Sequence, residues 1–246
     1  MYDPFETDLS LQFLLKLVDN FGCEKFGILG GWATYFITNN VYREATGREY
    51  LKSRDIDVFI SANPKFVEKF KNSIRKTGFS PGGYPFRYTL LVDRRSKKII
   101  TEKNSRSLPL FDLFYVDLDV YSSKKTVLSN WVDKVIEEIF KGKKRIVFVE
   151  GRRILIPSEE LLLQLKINSY TGRGEQYKRL KDACDIYSLL FYSELKKKWD
   201  AIRNKNTLDA IKKIATSEDV AYIAEYMFGD RYVEGLIRRN FEKFIK

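Results

Sequence analysis

The spacing of apolar residues changes character once along the chain. Up to residue 156, short apolar runs alternate with polar turns, and several runs have the two-residue period of half-buried strands. After Pro157, nearly every segment repeats its apolar positions every three or four residues, as amphipathic helices do. The sequence therefore predicts an α+β fold class, with an α/β domain over residues 1–156 and a helical domain over residues 157–246.

The α/β half is predicted to form a small mixed sheet flanked by helices, with the helical half closing one side of a cleft. Helices are predicted over residues 9–19, 32–38, 63–78 and 126–140. Strands are predicted over residues 25–29, 55–61, 86–92, 98–101, 110–121, 145–149 and 152–156, the last two joined through Glu150-Gly151. The polar, mixed residues 39–52 predict a loop or short helix that overhangs the site.

Two carboxylates enter one of these strands together. Asp55 and Asp57 alternate with Ile56 and Val58, and residues two apart on a strand point to one face. Like charges this close repel each other, and burial adds a desolvation cost. A multivalent cation would remove both costs. Because the chain contains no histidine, oxygen-only ligation favours Mg²⁺ or Mn²⁺.

A glycine pair, Gly30-Gly31, precedes the helical stretch that begins near Trp32. The N-terminus of a helix presents unpaired N–H groups and the positive end of the helix dipole, so one reached through glycines is suited to bind an anion. A phosphate-binding turn beside a pair of metal-binding acids indicates phosphoryl chemistry on a nucleotide.

A second acidic strand follows in Val116-Asp117-Leu118-Asp119-Val120. Asp117 and Asp119 share a face, so either one can complete the acidic cluster. We favour Asp119, which lies deepest in the apolar run just before the strand ends, and expect Asp117 to cap or to form a local salt bridge. Asp112 is a third and weaker candidate.

Composition narrows the chemistry further. The absence of histidine excludes Ser-His, Cys-His and His-ligated zinc sites, which leaves acid–base work to Asp, Glu, Lys or Tyr. Cys23 and Cys184 have no metal-binding spacing and are expected to be structural thiols. A formal net charge of +11 favours a polyanionic partner such as nucleic acid over a merely solvated basic surface.

Other features of the composition bear on location. The chain has no apolar run long enough to span a bilayer, and its first residues lack the regions of a signal peptide, so we expect a cytoplasmic protein without a membrane partner. The small number of methionines and the many Lys, Glu, Ile and Tyr residues fit a thermophilic source.

The ordered set of motifs resembles the DNA polymerase β-like nucleotidyltransferase superfamily. The motifs are Gly30-Gly31 before a helix, Ser53-x-Asp55-x-Asp57 on a strand and a third acid on a neighbouring strand. The helical half, with Lys166, Arg173 and Lys181-Asp182-x-x-Asp185, resembles the AbiEii-type branch of abortive-infection toxins. The resemblance spans roughly residues 25–190. It departs in the long Gly31–Asp55 separation and in the last fifty or so residues, which match no part of the family.

The resemblance implies a metal-dependent nucleotidyltransferase that moves a nucleoside monophosphate from a nucleoside triphosphate to an acceptor hydroxyl. The resemblance implies that the catalytic residues, which also bind Mg²⁺ or Mn²⁺, are Asp55, Asp57 and Asp119, with Asp119 also acting as base. It implies that the nucleotide-binding residues are Gly30, Gly31, Ser53 and Lys166. Implied partners are an RNA or tRNA acceptor and an antitoxin protein.

Several alternatives stay open in the sequence. Lys166 is either a phosphate-binding cation or a solvated lysine on an amphipathic helix. Asp182 and Asp185 are either site residues or members of surface i,i+4 salt bridges with Lys178 and Lys181. The chain as a whole is either an active transferase or a catalytically degenerate module that binds a nucleotide, RNA or a partner protein. Which nucleotide is used, and whether the acceptor is RNA, protein or a small molecule, is not encoded in these motifs.

Overall fold

The computed structural model describes residues 2–246, apart from the side chain of Glu102. These residues form two compact units. The α/β unit comprises residues 2–32 and 52–157, and the helical unit comprises residues 33–51 and 158–246. Over these residues the strands all lie in the α/β unit together with several helices, and the other unit contains helices and no strand, so the predicted α+β fold class is confirmed. Over residues 2–246, no helix has both the length and the apolarity needed to cross a membrane.

The strands belong to two sheets of the α/β unit. They are β1 (Phe26–Ile28), β2 (Ile56–Ile60), β3 (Ser80–Pro81), β4 (Arg87–Asp93), β5 (Leu113–Ser122), β6 (Lys144–Val149) and β7 (Arg152–Pro157). The larger sheet has the order β1-β2-β5-β4-β3, with β2 and β5 parallel and the other neighbours antiparallel. The strands β6 and β7 form a separate hairpin. Its two-residue turn has positive φ at Glu150 and Gly151, 49° and 76°, as a type I′ turn requires.

The α/β unit also contains helices. They are α1 (Pro4–Phe21), the first residues of α2 (Gly30–Thr46), α3 (Pro64–Lys76), the single turn α4 (Glu102–Ser105) and α5 (Val135–Lys141). Asp3 and Asn63 cap α1 and α3, each with proline in the first turn. A capping side chain before proline satisfies a free N–H while the ring presets the helical φ, and this signal predicted the start of α3. The helix predicted from Leu9 instead begins five residues earlier, at Pro4.

The two faces of the larger sheet differ in polarity. Even-numbered residues of β5, such as Val116, Leu118 and Val120, are fully buried on the face that α1 covers. On the same side, Phe70 of α3 packs on Phe26 of β1. Because side chains alternate along a strand, the odd-numbered residues point to the other face, and there β5 presents carboxylates.

The helical unit is built on a helix pair that buries most of its residues. Its elements are the rest of α2, then α6 (Glu159–Gly172), α7 (Gln176–Phe191), the short α8 (Trp199–Ile202), α9 (Lys205–Thr216), α10 (Asp219–Ile223), a π-helical turn (Ala224–Phe228) and α11 (Glu234–Ile245). Ser158 caps α6 by accepting a hydrogen bond from the N–H of Leu161 at 3.4 Å. In α7 every residue from Leu180 to Phe191 is buried, including its charged ones.

Three segments differ from the sequence prediction. The helix predicted over residues 126–140 is confined to α5, because the Thr126 hydroxyl accepts from the N–H groups of Leu128 and Ser129 and holds a turn there. Residues 39–46, expected in a loop or short helix, instead prolong α2, whose buried Tyr42 packs against Tyr50 and Tyr192 within the helical unit. The strand predicted over residues 98–101 is reduced to one bridge between Val92 and Ile99.

Candidate active site

Gly30 brings the start of α2 against the acidic strand. Its φ is +64°, and a Cβ placed on it would lie 2.0 Å from Oδ2 of Asp57, so no other residue fits without displacing the acid. The backbone N–H of Leu29 donates to the Asp57 carbonyl at 2.9 Å and fixes the same junction. The glycine motif and the second acid predicted from sequence are therefore in direct contact.

Asp55 and Asp57 enter the site at the start of β2. Asp57 is the second residue of the strand, and Asp55 lies in the bend just before it. Ser53, predicted to bind nucleotide, donates its hydroxyl to the Asp55 carbonyl at 3.1 Å and shapes this bend. The carboxylate of Asp55 lies 3.4 Å from Nε of Arg54.

The register of the parallel pair places the third acid directly beside the second. Asp57 pairs with Asp119 across β2 and β5, so the two side chains project from the same face. Asp119 is only 5% exposed, and Asp117 precedes it by two residues on the same face. Asp112, the weaker candidate, instead contacts Arg95, whose Nε lies 2.8 Å from its carboxylate.

Arg87 is a site residue that the sequence analysis missed. It lies opposite Asp119 in the antiparallel pair of β4 and β5. Its Nε and Nη2 donate to the two carboxylate oxygens of Asp119, and Nη1 lies 3.3 Å from Oδ2 of Asp117. Hydrogen bonding to Asp119 raises the guanidinium pKa above its usual value. No sequence motif marks Arg87, because only the register of β4 against β5 places it beside Asp117 and Asp119.

Asp117 has an unfavourable environment for its charge. Its pKa is raised to about 6; burial is the largest cause, the nearby carboxylates of Asp55 and Asp119 act in the same direction, and Arg87 partly opposes them. The face of the sheet therefore holds more negative charge than its arginines compensate.

The charges and donors of this acidic face suit a divalent cation. The four carboxylates of the face, Asp55, Asp57, Asp117 and Asp119, meet two guanidinium groups, Arg54 and Arg87, and 2 − 4 leaves a formal charge of −2. Oxygen donors of this kind are those that Mg²⁺ prefers. Within residues 2–246 no three acidic or thiol side chains converge on one point, and both carboxylate oxygens of Asp119 already accept from Arg87.

Lys166, predicted to bind nucleotide, lies in a buried ionic cluster of the helical unit. Its Nζ is 3.2 Å from Asp182 and 2.6 Å from Asp185. Lys181 also pairs with Asp185, and the Tyr50 hydroxyl donates to that carboxylate at 2.6 Å. The Asp185 pair is therefore buried rather than a surface salt bridge, whereas Lys178 pairs with Glu175 at the surface.

The solved structures include several that are similar to this chain. No protein-family model matches the chain, and no curated protein matches it. An antigenic nucleotidyltransferase-like protein from Paracoccidioides brasiliensis is similar at 14% identity, over 90% of this chain and 92% of that one, with a TM-score of 0.48. The lincomycin-bound lincosamide antibiotic adenylyltransferase LnuA is similar at 15% identity, over 75% of this chain and 96% of that one, with a TM-score of 0.40. Any assignment of activity therefore has to come from the side chains of the site.

Proposed function

We propose that this chain is a nucleotidyltransferase that moves a nucleoside monophosphate from a nucleoside triphosphate to an acceptor hydroxyl. One observation carries the proposal: the glycine start of α2 touches Asp57, and Asp57 is in register with Asp119. A helix N-terminus for phosphate, a metal-binding acid and a buried candidate base thus meet on one face of one sheet. The motif order that resembles the DNA polymerase β-like superfamily supports the same reaction.

The triphosphate is proposed to bind at the N-terminus of α2. A helix N-terminus presents N–H groups that its own first turn does not satisfy, and the dipole of the 17-residue α2 favours anions there. Ser53 lies next to the acidic strand and is the additional hydroxyl donor in this proposal. Asp55, Asp57 and Asp119 would hold Mg²⁺ or Mn²⁺, which supplies neutralisation of the charge that develops on the phosphates.

Asp119 is proposed as the base for the acceptor hydroxyl. It takes the hydroxyl proton as the acceptor oxygen bonds to the α-phosphorus, and the bond from that phosphorus to pyrophosphate breaks in line. In the resting protein Arg87 holds both oxygens of Asp119. Release of that carboxylate from Arg87 is therefore part of forming the reactive state.

The basic surface favours a polynucleotide acceptor. The net charge of +11 suits a phosphodiester backbone, so RNA, including tRNA, is the proposed acceptor class. The AbiEii-like motifs of the helical half extend the proposal to the toxin of a toxin–antitoxin pair, with an antitoxin protein as partner. Induced expression in bacteria would then arrest growth for the native chain and not for Asp57→Asn.

A catalytically inactive nucleotide- or RNA-binding module is the second candidate. The bidentate hold of Arg87 on Asp119 favours it, because the guanidinium already occupies both oxygens of that carboxylate.

A transfer assay separates the two candidates. The protein is incubated with each α-labelled triphosphate and Mg²⁺ or Mn²⁺, against total RNA, total protein or no acceptor, with Asp57→Asn as the control. Label on one acceptor class with the native chain alone supports the transferase. Binding of nucleotide or RNA without label on any acceptor supports the binding module.

A further inference from the structure

Aromatic side chains continue the acidic face beyond Asp119. Tyr121 follows Asp119 by two residues on β5, and its hydroxyl lies 3.5 Å from Oδ1 of Asp57. Phe86 stacks on Tyr121, with ring centroids 6.0 Å apart and planes 26° apart. Tyr84 stacks in turn on Phe86 at 5.7 Å and 15°, and the edge of Trp131 meets Phe86 at 5.2 Å. We name these four residues the aromatic platform.

The backbone holds the aromatic platform in place. The N–H of Val120 donates to the Phe86 carbonyl at 2.9 Å, and the N–H of Arg87 donates to the Tyr84 carbonyl at 2.9 Å. The N–H of Trp131 donates to the Ser129 hydroxyl at 3.1 Å. Rings fixed in this way lose little freedom when a ligand stacks on them, which favours binding.

The outer rings of the platform face solvent. Tyr84 is 58% exposed and Trp131 is 52% exposed, although both rings are large enough to contribute strongly to a core. Contiguous exposed apolar surface of this kind marks an interaction site. Flat rings of this kind stack on nucleobases without regard to sequence.

Strand order places the platform on the acceptor side of the acids. The sheet runs β1-β2-β5-β4, the glycine turn follows β1, and Tyr84 and Phe86 immediately precede β4. Asp57 and Asp119 lie on the two strands between them. A triphosphate bound at Gly30 and a group stacked on Tyr84 would therefore approach the acids from opposite sides.

The charge next to the platform suits a nucleic acid strand. Lys124 and Lys125 follow the end of β5 directly and are both exposed. The guanidinium carbon of Arg87 lies 5.5 Å from the centroid of the Tyr84 ring. Two lysines beside exposed rings are the combination that binds single strands, with bases on the rings and phosphates on the cations.

We propose that the aromatic platform stacks a base of a single-stranded RNA acceptor, with Lys124 and Lys125 meeting the adjoining phosphates. The proposal rests on the nucleotidyltransferase function above and names its acceptor site. It assigns a binding role to Tyr84 and Trp131, which no sequence motif indicates.

Binding is measured without turnover, by fluorescence anisotropy of a labelled oligoribonucleotide of about 8 nucleotides at low salt. Tyr84→Ala and Trp131→Ala should each weaken binding about tenfold, because one stacking partner is lost. Tyr84→Phe keeps the ring and should bind like the native chain. Phe148→Ala is the matched control, since Phe148 is 74% exposed but lies on β6 in the separate hairpin.

Unchanged affinity in both alanine variants, an equal loss in Phe148→Ala, or a native chain that binds no RNA would each overturn the proposal. A parallel titration with each nucleoside triphosphate separates the two sources of a base. If Tyr84→Ala weakens triphosphate binding and spares RNA, the platform holds the donor nucleotide and the acceptor assignment is wrong.

The transfer assay distinguishes failure of the platform from failure of the function. If RNA binding depends on the platform but the chain transfers no label, the platform proposal is supported and the transferase proposal is wrong. If Tyr84→Ala and Trp131→Ala transfer label to RNA at the native rate, the transferase proposal is supported and the platform proposal is wrong.

Discussion

Arg87 grips Asp119 with two parallel hydrogen bonds, from Nε at 2.7 Å and from Nη2 at 2.6 Å. The same guanidinium lies 3.3 Å from Asp117, so one cation serves two carboxylates. Planar two-point pairing of this kind is the strongest geometry available to an arginine and a carboxylate. A divalent cation in the site has to compete with it for Asp119.

Arg87→Ala tests this competition. Without the guanidinium, Asp117 and Asp119 repel each other uncompensated, and the free energy of unfolding should fall by about 2 kcal/mol in the absence of metal. Mg²⁺ should then raise the unfolding temperature of the variant more than that of the native chain. Scanning calorimetry with and without Mg²⁺ measures both effects.

Arg95→Ala is the control for that experiment, because Arg95 pairs with the buried Asp112 outside the motif strands. It should lose stability without any added response to Mg²⁺. An equal response in both variants would show that Arg87 does not compete with a metal.

Replacing both Asp55 and Asp57 with Asn should abolish label transfer and metal-dependent nucleotide binding. The fold should persist, and the metal-free protein should gain stability, because two like charges at one strand end are removed. Transfer assays and thermal unfolding in EDTA give the two readouts. If the double variant still transfers label with Mg²⁺, the assignment of Asp55 and Asp57 to the active site is wrong.

Asp119→Asn and Asp117→Asn should have different effects on turnover. The first should lose turnover and keep nucleotide binding, because Asp119 is the partner of Asp57 in the register and the proposed base. The second should be mild, because Asp117 carries a charge that burial disfavours. Single-turnover kinetics and nucleotide titration of both variants decide the matter, and the reverse ranking would make Asp117 the third acid.

Gly30→Ala should be far more damaging than its backbone angle alone explains. Gly30 and Gly22 both have φ of +64°, but a Cβ on Gly30 meets Asp57 at 2.0 Å whereas one on Gly22 meets nothing within 4 Å. Gly22→Ala should therefore cost only its backbone strain, about 1 to 3 kcal/mol for φ +64° with ψ −176°. Gly30→Ala should cost more than Gly22→Ala and should also weaken triphosphate binding. Equal losses in urea unfolding would mean that the close approach to Asp57 relaxes freely.

Asp185→Asn should destabilise the helical unit. The change leaves Lys166 and Lys181 buried without the carboxylate that they share, at a cost of about 3 to 5 kcal/mol. Urea unfolding at neutral pH measures the loss. Glu175→Gln removes a partner of the surface residue Lys178 and should leave the free energy of unfolding nearly unchanged.

The pH dependence of the same residue has a defined sign. Burial alone would raise the pKa of Asp185, but Lys166 and Lys181 outweigh it and hold the pKa below the unfolded value of 3.8. The stability from this pair is therefore complete above about pH 4 and is lost as the pH falls through the folded pKa. Below pH 4 the native chain should lose stability more steeply than Asp185→Asn, and parallel curves would contradict the pairing.

The sequence predicted those structural features that depend only on neighbouring residues. Asn63-Pro64 marked the start of α3, and Glu150-Gly151 marked the hairpin turn, since each depends on its own residues. The alternation around Asp57 marked a strand with one polar face. These features need no knowledge of the rest of the chain.

Features that depend on pairing between distant segments could not be predicted from the sequence. Arg87 meets Asp119 only through the order of β4 and β5, which no motif encodes. The burial of Lys166 depends on Asp182 and Asp185, more than fifteen residues away on the facing helix. The charges on one helix do not show whether that face is exposed to solvent or buried against opposite charges, because this depends on the residues of the facing helix.

The register between Asp57 and Asp119 also determines where this chain can change length. Adding one residue within β5 ahead of Asp119 would rotate that acid into the apolar layer and bring a buried side chain such as Leu118 to the position beside Asp57. The connection between β4 and β5 carries no such constraint, since residues 103–107 are mostly exposed. Among descendants of this sequence, insertions should accumulate in that connection, while the stretch from Phe114 to Asp119 keeps its length.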